Sequence, residues 1–197
     1  MIDIDLLLTS GATYKKVATG ETIFTEGNNC NFYYQLVSGN IKWMNIDENG
    51  KEFVQYYIQA GDCFGELPLF DDQPYAASAI AENDCVVIRL HKPVFLELLA
   101  DQPELFKTFA CLLASRIRFK MFVLKELVHH TPEHRIASMI EYFKRSHTNI
   151  CQKCNQLKLT RQQLADITGL RVETVIRTMR VMHDKGQLVI SKGKVFF

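Results

Sequence analysis

The segment 160–180 constrains the fold most, because its spacing is that of two short helices joined by a sharp turn. Ala165 supplies the small side chain needed where the first helix presses on the second. Gly169 follows four residues later, at a turn where glycine adopts a left-handed conformation without steric cost. Apolar residues recur at helical spacing on the predicted inward faces: Leu164, Ile167, Val172, Val175, Met179 and Met182. The segment predicts a helix-turn-helix, although a plain helical hairpin needs the same small residue and glycine.

The outward face of the second predicted helix carries polar side chains suited to contact with DNA: Glu173, Thr174, Arg177 and Arg180. Glu173 and Arg177 lie one turn apart, in the half of a recognition helix that meets base edges. Arginine can bond guanine through two hydrogen bonds, and glutamate can accept one from cytosine N4. The alternative is a surface ion pair between the two side chains, worth only about 0.3–0.5 kcal/mol.

Charge is distributed unevenly along the chain, although its net value is +1. From Thr131 onward there are 12 basic and 5 acidic side chains, a formal charge of +7, while the preceding residues carry −6. A basic domain following an acidic one suits a polyanionic partner at one end only. The alternative is a solvated basic surface without a partner.

The N-terminal half is predicted to be a β-domain. Segments rich in β-branched and aromatic residues alternate with glycine-containing turns, at 17–24, 32–37, 41–46, 53–58 and 86–90. The pair Asn49-Gly50 between two such segments predicts a hairpin. This close spacing favours an antiparallel sandwich or barrel.

A long helix is predicted to follow, starting near Pro103 and reaching about residue 130. Its apolar stripe consists of Phe106, Ala110, Leu113, Ile117, Leu124 and Val128, with Met121 filling the longest gap. Such a helix is too long for a small β-domain to cover, so a second copy of the chain is the expected partner, in a two-fold dimer. The alternative is that the stripe packs on the β-domain.

The domain boundary is predicted at Thr131, where Thr-Pro-Glu is a helix start with a hydroxyl cap and proline in the first turn. Residues 1–130 then form a sensor domain with its dimerisation helix, and residues 131–197 form the DNA-binding domain. Thr160 is expected to cap the first helix of the helix-turn-helix. Two short terminal strands, 187–190 and 194–197, complete a winged motif.

Several protein classes are excluded by what the sequence lacks. No apolar run approaches the roughly 18–20 residues that span a bilayer, and the N-terminus has no basic region of a signal peptide, so a cytoplasmic protein without a membrane partner is expected. No catalytic motif is present, so the protein is not expected to be an enzyme. The six cysteines are expected to be reduced, with Cys30, Cys63, Cys85 and Cys111 in the core.

The chain resembles the Crp/Fnr family of bacterial regulators in three segments. Residues 61–70, GDCFGELPLF, are similar to a loop of the family's sensor domain, and residues 159–165 and 172–177 are similar to its helix-turn-helix. The resemblance implies an α+β fold: an antiparallel β-roll like a cyclic-nucleotide-binding jelly roll, a dimerisation helix and a winged helix-turn-helix. It also implies a homodimer on palindromic double-stranded DNA, with RNA polymerase as a further partner if the protein is an activator.

The resemblance assigns roles in DNA binding by position. Glu173 and Arg177 match the family's base-contacting pair, and Thr160, Arg161 and Gln162 match residues near phosphates. Val172 replaces a further base-contacting arginine, which makes the helix more similar to the Fnr branch and implies a TTGA-type half-site. Ile176 is placed to contact a thymine methyl, and Arg171 replaces the usual capping hydroxyl.

The sensor domain differs from the cyclic-nucleotide members of the family. Gly65 and Glu66 match the ribose-binding part of the loop, with Leu67 beside them in the predicted effector pocket, but Ala76 and Ala77 replace the pair that clamps the phosphate. Lys120 and Met121 replace hydroxyls that face adenine. Without a guanidinium partner the cyclic phosphate loses its strongest contact, so cyclic AMP is not expected to be the effector.

Another small effector or haem remains open. The candidate axial ligands of haem are His91, His129, His130 and His134. An Fnr-type iron–sulfur cluster is not expected, because the first cysteine is Cys30. A regulatory module of the cyclic-nucleotide type without a direct role on DNA is the alternative function, but it leaves residues 159–197 unexplained.

Cys151 and Cys154 form a Cys-x-x-Cys pair, with His147 four residues before the first cysteine. This spacing fits metal ligands, although three ligands are one fewer than tetrahedral zinc takes. The pair predicts either a zinc or redox site, or two free thiols in a surface loop.

Overall fold

The computed structural model describes residues 1–48, 50, 52–129 and 131–197, and of His129 it describes the backbone alone. Asn49 of the predicted hairpin and the candidate ligand His130 therefore lie outside the described residues. The chain divides into two compact units, Met1–Ala114 and Ser115–Phe197. This division falls within the long helix, earlier than the boundary predicted after residue 130. Within the described ranges, no helix is both long and apolar enough to cross a bilayer.

The first unit consists mainly of strands. In chain order its elements are α1 (Ile4–Thr9), β1 (Thr13–Val17), β2 (Thr22–Phe24), β3 (Phe32–Ser38), β4 (Ile41–Ile46), β5 (Glu52–Ile58), β6 (Cys63–Phe64), α2 (Leu67–Asp71), β7 (Ser78–Ala81), β8 (Cys85–His91) and α3 (Lys92–Asp101). The second unit begins within α4 (Pro103–His129) and continues through α5 (Pro132–Ser146), α6 (Arg161–Thr168), α7 (Val172–Asp184), β9 (Val189–Ser191) and β10 (Lys194–Phe196).

Two four-stranded antiparallel sheets form the first unit, with strand orders β1-β8-β3-β6 and β2-β7-β4-β5. The two sheets bury large side chains in one core, including Tyr33 and Leu36 of β3 and Ile41 of β4. Phe95 of α3 stacks on Tyr33 with ring centroids 4.9 Å apart. The predicted β-roll is confirmed.

The prediction of a single strand over 17–24 was wrong. This range contains the end of β1 and all of β2, and the two strands belong to different sheets. Gly20 turns the chain between them, with φ of +80°. Strand β7 was not predicted, because Ser78 and its alanine neighbours have low strand propensity and pair only through contacts with β2 and β4. Cys30, Cys63 and Cys85 are buried as expected. Cys111 is exposed, not in the core, because it lies on a solvent-facing side of α4.

The second unit is held together by a core beneath α7. Ile136, Met139, Ile140 and Phe143 of α5 are buried, as are Leu164 and Ala165 of α6 and Val175, Met179 and Met182 of α7. Thr131 caps α5 as predicted, with its hydroxyl accepting from the His134 amide at 3.3 Å. Strands β9 and β10 pair as an antiparallel hairpin and form the wing. The predicted winged helix-turn-helix is confirmed.

The turn between α6 and α7 requires glycine for two reasons. Gly169 has φ of +64°, and a Cβ added there would lie 2.8 Å from the Leu127 Cδ2 atom. Gly186, at the end of α7, has φ of +72° but open space around it. Both glycines therefore have a left-handed backbone, but only at Gly169 would an added Cβ meet a neighbouring side chain.

We expect Gly169→Ala to lower the free energy of unfolding more than Gly186→Ala does. The left-handed backbone costs alanine about 1–2 kcal/mol at either position, and the contact with Leu127 adds to this cost at Gly169 alone. Urea denaturation of the two variants and the parent chain measures the difference. Equal losses would show that the α6–α7 turn is not tightly packed against Leu127.

Candidate DNA-binding interface

The start of α6 is fixed by a reciprocal cap. The Thr160 hydroxyl accepts a hydrogen bond from the Gln163 amide at 3.1 Å, and the Gln163 side chain accepts one from the Thr160 amide at 3.0 Å. This capping box satisfies two backbone donors and leaves other N–H groups of the first turn available. Helix N-termini of this kind bind phosphate oxygens.

The two residues after the cap differ in how their side chains are held. The Arg161 guanidinium donates to the Gly193 carbonyl in the turn of the wing at 3.2 Å. The Gln162 amide donates to Asp166 at 2.8 Å, along the exposed side of α6. Arg161 therefore links α6 to the wing, while Gln162 must exchange its present partner to reach a phosphate.

Helix α7 presents an exposed face opposite its buried one. Glu173, Arg177 and Arg180 are exposed, and Ile176 between them is 39% exposed. Thr174 is half-buried, so its predicted outward position is only partly correct. Among the ion pairs of the described residues, none joins Glu173 to Arg177. Both side chains are therefore available to a partner.

The orientation of α7 is fixed at both ends by contacts within the second unit. Near its start, Arg135 of α5 donates to the Leu127 carbonyl at 2.8 Å and to the Thr168 carbonyl at 3.5 Å. Beyond its end, Lys185 pairs with Glu133 of α5 at 2.9 Å. This hydrogen bond from Lys185 lowers the pKa of Glu133. Arg171, at the N-cap of α7, makes no side-chain cap, as its replacement of a hydroxyl residue implies.

A basic groove of about 470 Å³ lies between the start of α6 and the wing. Its lining includes Lys158, Arg161 and Lys194. Lys158 and Lys194 were not among the predicted contact residues, because they flank the helix-turn-helix motif instead of belonging to it. The excess of basic residues after Thr131 was the signal that could have identified them.

Two protein-family models match this chain. The cyclic nucleotide-binding domain model matches residues 14–102, and the Crp-like helix-turn-helix domain model matches residues 134–196. The order and extent of these matches agree with the two units of the fold. The chain belongs to the Crp/Fnr family of DNA-binding transcription regulators.

Relatives and solved structures of the family align with nearly the whole chain. The cAMP-activated global transcriptional regulator CRP of Escherichia coli is 27% identical over 181 residues, covering 91% of this chain and 86% of that protein. The c-di-GMP responsive regulator CLP of Xanthomonas campestris superposes with a TM-score of 0.76 at 18% identity, covering 98% of this chain and 97% of that chain. FixK2 of Bradyrhizobium japonicum superposes with a TM-score of 0.76 at 19% identity, covering 94% of this chain and 92% of that chain.

In the sensor domain, the family's loop has a structural reason for its glycine. Gly65 has φ of +66°, and a Cβ there would lie 2.5 Å from the Phe24 ring. Glu66 follows at the start of α2 and is fully buried, whereas Leu67 is 37% exposed. Gly65 is thus required by the backbone and by the packing of Phe24, independently of any ligand.

The segment that replaces the family's phosphate clamp contains no cation. The Ala76 carbonyl accepts from Asn45 at 2.8 Å, and the Ala77 carbonyl accepts from Trp43 at 3.3 Å. Tyr75 stacks on Phe24 with ring centroids 3.8 Å apart, and both rings adjoin Gly65. The two sequence segments of the predicted pocket therefore meet around Phe24 within the first unit.

The other predicted sensor residues lie apart from this segment in the sequence. Lys120 and Met121 lie on α4 in the second unit, where Met121 is exposed and burial lowers the pKa of Lys120 to about 8. His91 contacts Phe32 edge-on at 4.9 Å. His134 lies 3.3 Å from Glu126. These contacts favour neither histidine as a haem ligand.

The predicted metal ligands are not assembled. His147 ends α5 in a left-handed conformation, and Cys151 and Cys154 occupy the turn that follows. Nowhere in the described parts of the chain do three histidine, cysteine, aspartate or glutamate side chains lie close enough to hold a metal ion.

The predicted stripe of α4 is exposed on the single chain. Phe106, Ile117, Leu124 and Val128 have exposed fractions of 58–65%, Ala110 is exposed and Leu113 is half-buried. Other faces of the helix make the contacts within each unit, through Phe109 with the core of the first unit and through Phe119 with Tyr142 of α5. Phe106 contacts Phe70 of the first unit with ring centroids 6.2 Å apart and is still 58% exposed, so the stripe packs only partly on the β-domain at that residue.

Proposed function

We propose that this regulator acts as a homodimer that recognises a TTGA-type palindrome in the cytoplasm, under the control of a small effector that is not cyclic AMP. The observation that carries the proposal is the exposed, unpaired arrangement of Glu173 and Arg177 on a helix whose opposite face is buried. A base-contacting helix needs this combination of a rigid support and free polar side chains.

The half-site comes from the resemblance of α7 to the Fnr branch, and the chemistry of the exposed face supports its G·C pair. Arg177 can donate two hydrogen bonds to guanine, and Glu173 can accept one from the cytosine N4 amine of a G·C pair. Ile176 is apolar and partly exposed one residue before Arg177, which suits it to a thymine methyl. Thr160, Arg161, Lys158 and Lys194 would hold the flanking phosphates, fixing register without reading sequence.

The homodimer rests on the exposed stripe of α4. With Met121 in the longest gap, its members recur at three- and four-residue spacing over about six turns, which is the pattern of a coiled-coil seam. Side chains of this size exposed in one continuous row mark an interaction surface. A second copy of the same helix would cover the row symmetrically and present two α7 helices to one duplex.

The segment of the sensor domain at Ala76 and Ala77 lacks a charged side chain for a cyclic phosphate. The carbonyls of Ala76 and Ala77 are acceptors already paired with Asn45 and Trp43, and neither side chain can balance a cyclic phosphate. CRP of E. coli is cAMP-activated and CLP of X. campestris is c-di-GMP responsive, so membership of the family does not determine the ligand. A ligand would act by shifting the population of the DNA-binding state of the dimer.

We expect the chain to bind a labelled TTGA-N6-TCAA duplex more tightly than a scrambled duplex of the same composition in fluorescence anisotropy. Arg177→Ala should weaken palindrome binding by about 1–3 kcal/mol and remove most of the preference, because it deletes the guanine contact. Arg145→Ala is the matched control, since Arg145 lies on α5 and pairs with Glu141. Equal affinity for both duplexes, or equal effects of the two variants, would contradict the proposed recognition.

The dimer seam is tested by Leu124→Glu, which should place two carboxylates opposite each other in an apolar contact and produce monomers. Lys125→Glu introduces the same side chain one position away, outside the stripe, and should leave the dimer intact. Analytical ultracentrifugation of both variants measures the mass. A dimeric Leu124→Glu chain would rule out this seam.

Cyclic AMP should leave the anisotropy midpoint for the palindrome unchanged, because the segment at Ala76 and Ala77 offers no guanidinium to its phosphate. The E. coli relative on its own site provides the positive control, since it is cAMP-activated. A cyclic-AMP-dependent shift for the present protein would contradict the assignment of Ala76 and Ala77.

A further inference from the structure

The connection between α5 and α6 carries two cysteines in one closed turn. The Cys151 amide donates to the Gln156 carbonyl at 2.9 Å, and the Asn155 amide donates to the Cys151 carbonyl at 2.8 Å. Cys151 and Cys154 are the first and fourth residues of this α-turn, and Cα atoms three residues apart in helical backbone lie about 5 Å from each other. A disulfide requires a Cα separation of about 4.4–6.8 Å, so the turn brings the two cysteines into the bonding range.

The surroundings of the Cys151 sulfur favour its thiolate. The Cys154 thiol is the main donor that stabilises this thiolate, and the backbone amides of Cys154 and Lys153 are further donors. Together with the nearby Lys158 ammonium, these donors lower the pKa of Cys151. Cys154 is exposed and Cys151 is half-buried, so solvent oxidants reach the pair. The thiolate is the nucleophilic form of cysteine, and a neighbouring second thiol resolves its oxidation product.

The four other cysteines lack this arrangement. Cys30, Cys63 and Cys85 are buried, and Cys111 is exposed on α4, far from them in sequence. Among the described residues, the two cysteines belong to no group of three side chains that could hold a metal ion. The arrangement therefore favours dithiol chemistry over coordination.

The turn also adjoins the wing. The Gln156 backbone bridges to Phe196 of β10, and the Leu157 amide donates to the Val195 carbonyl at 2.9 Å. The chain then runs through the basic groove to the cap of α6. A covalent change in the turn thus occurs beside the segment that holds the wing.

We propose that Cys151 and Cys154 form a reversible dithiol–disulfide site that is oxidised by hydroperoxides, with Cys151 as the attacking thiol and Cys154 as the resolving one. The Cys151 thiolate attacks one oxygen of hydrogen peroxide; the S–O bond forms, the O–O bond breaks, and the departing hydroxide is protonated to water. The Cys154 sulfur then attacks the sulfenic acid of Cys151; the S–S bond forms, the S–O bond breaks, and the hydroxide leaves as water with the Cys154 proton. Two thiols lose two electrons, and one peroxide becomes two waters.

Mass spectrometry of the Cys111→Ser chain tests this site, because that background retains only this pair among the exposed thiols. Lys153 lies between the cysteines, so trypsin releases residues 146–153 and 154–158 as separate peptides. After a small excess of hydrogen peroxide and alkylation of remaining thiols, we expect these two peptides to be joined within one chain, and separated again by dithiothreitol. Cys154→Ser in the same background should yield no joined peptides.

The roles of the two thiols are separated by the pH dependence of alkylation. In the reduced Cys111→Ser chain, the rate of alkylation of Cys151 should rise at a lower pH than in the same chain with Cys154→Ala, which removes the thiol donor. Peptides that stay separate and alkylatable after peroxide, or that join only between chains, would overturn the site. An unchanged pH profile would overturn the assignment of Cys151 as the attacking thiol. Neither result depends on duplex binding, so the test of this site is independent of the test of the proposed function.

Discussion

Helix α7 buries one face against α5 and α6, and this packing decides which side chains remain for a partner. Val175, Met179 and Met182 fill the core of the second unit, at spacings that leave Glu173 and Arg177 on the opposite side. The Gly169 turn and the contacts of Arg135 and Lys185 hold the helix in this orientation. Because the supporting residues are apolar and the exposed ones polar, the rotation of α7 about its axis cannot change without exposing the core.

In the proposed function, α7 acts together with the α7 of a second copy of the chain. A family member that contacts a palindrome must present two recognition helices at a fixed separation, about one helical turn of DNA apart. In this chain the seam that would set the separation is the stripe of α4, which is exposed while other faces of that helix pack within the units. The two requirements, a supported α7 and a paired α4, lie on different elements and can be disrupted independently.

Regular, local patterns were predictable from the sequence. The capped start of α6 and the glycine turn follow from residue types and were confirmed, and the faces of α7 follow from helical spacing and were confirmed except at Thr174, which is half-buried. Strand β7 was not predictable, because its alanines become a strand only through pairing with β2 and β4. Cys111 was misplaced because an apolar neighbourhood in the sequence does not tell which side of a helix faces solvent. Lys158 and Lys194 line one groove only when the wing folds beside α6.

The central claim is that two α7 helices, set by one α4 seam, contact two half-sites on the same side of the duplex. Anisotropy measurements on TTGA palindromes with different spacers test it most directly. The account predicts the tightest binding when the half-site centres are about 10 base pairs apart, and a steep loss when about half a turn is inserted, because the second half-site then faces away from its helix. Affinity that is independent of the spacer would contradict the account, since it would mean that each chain binds its half-site alone.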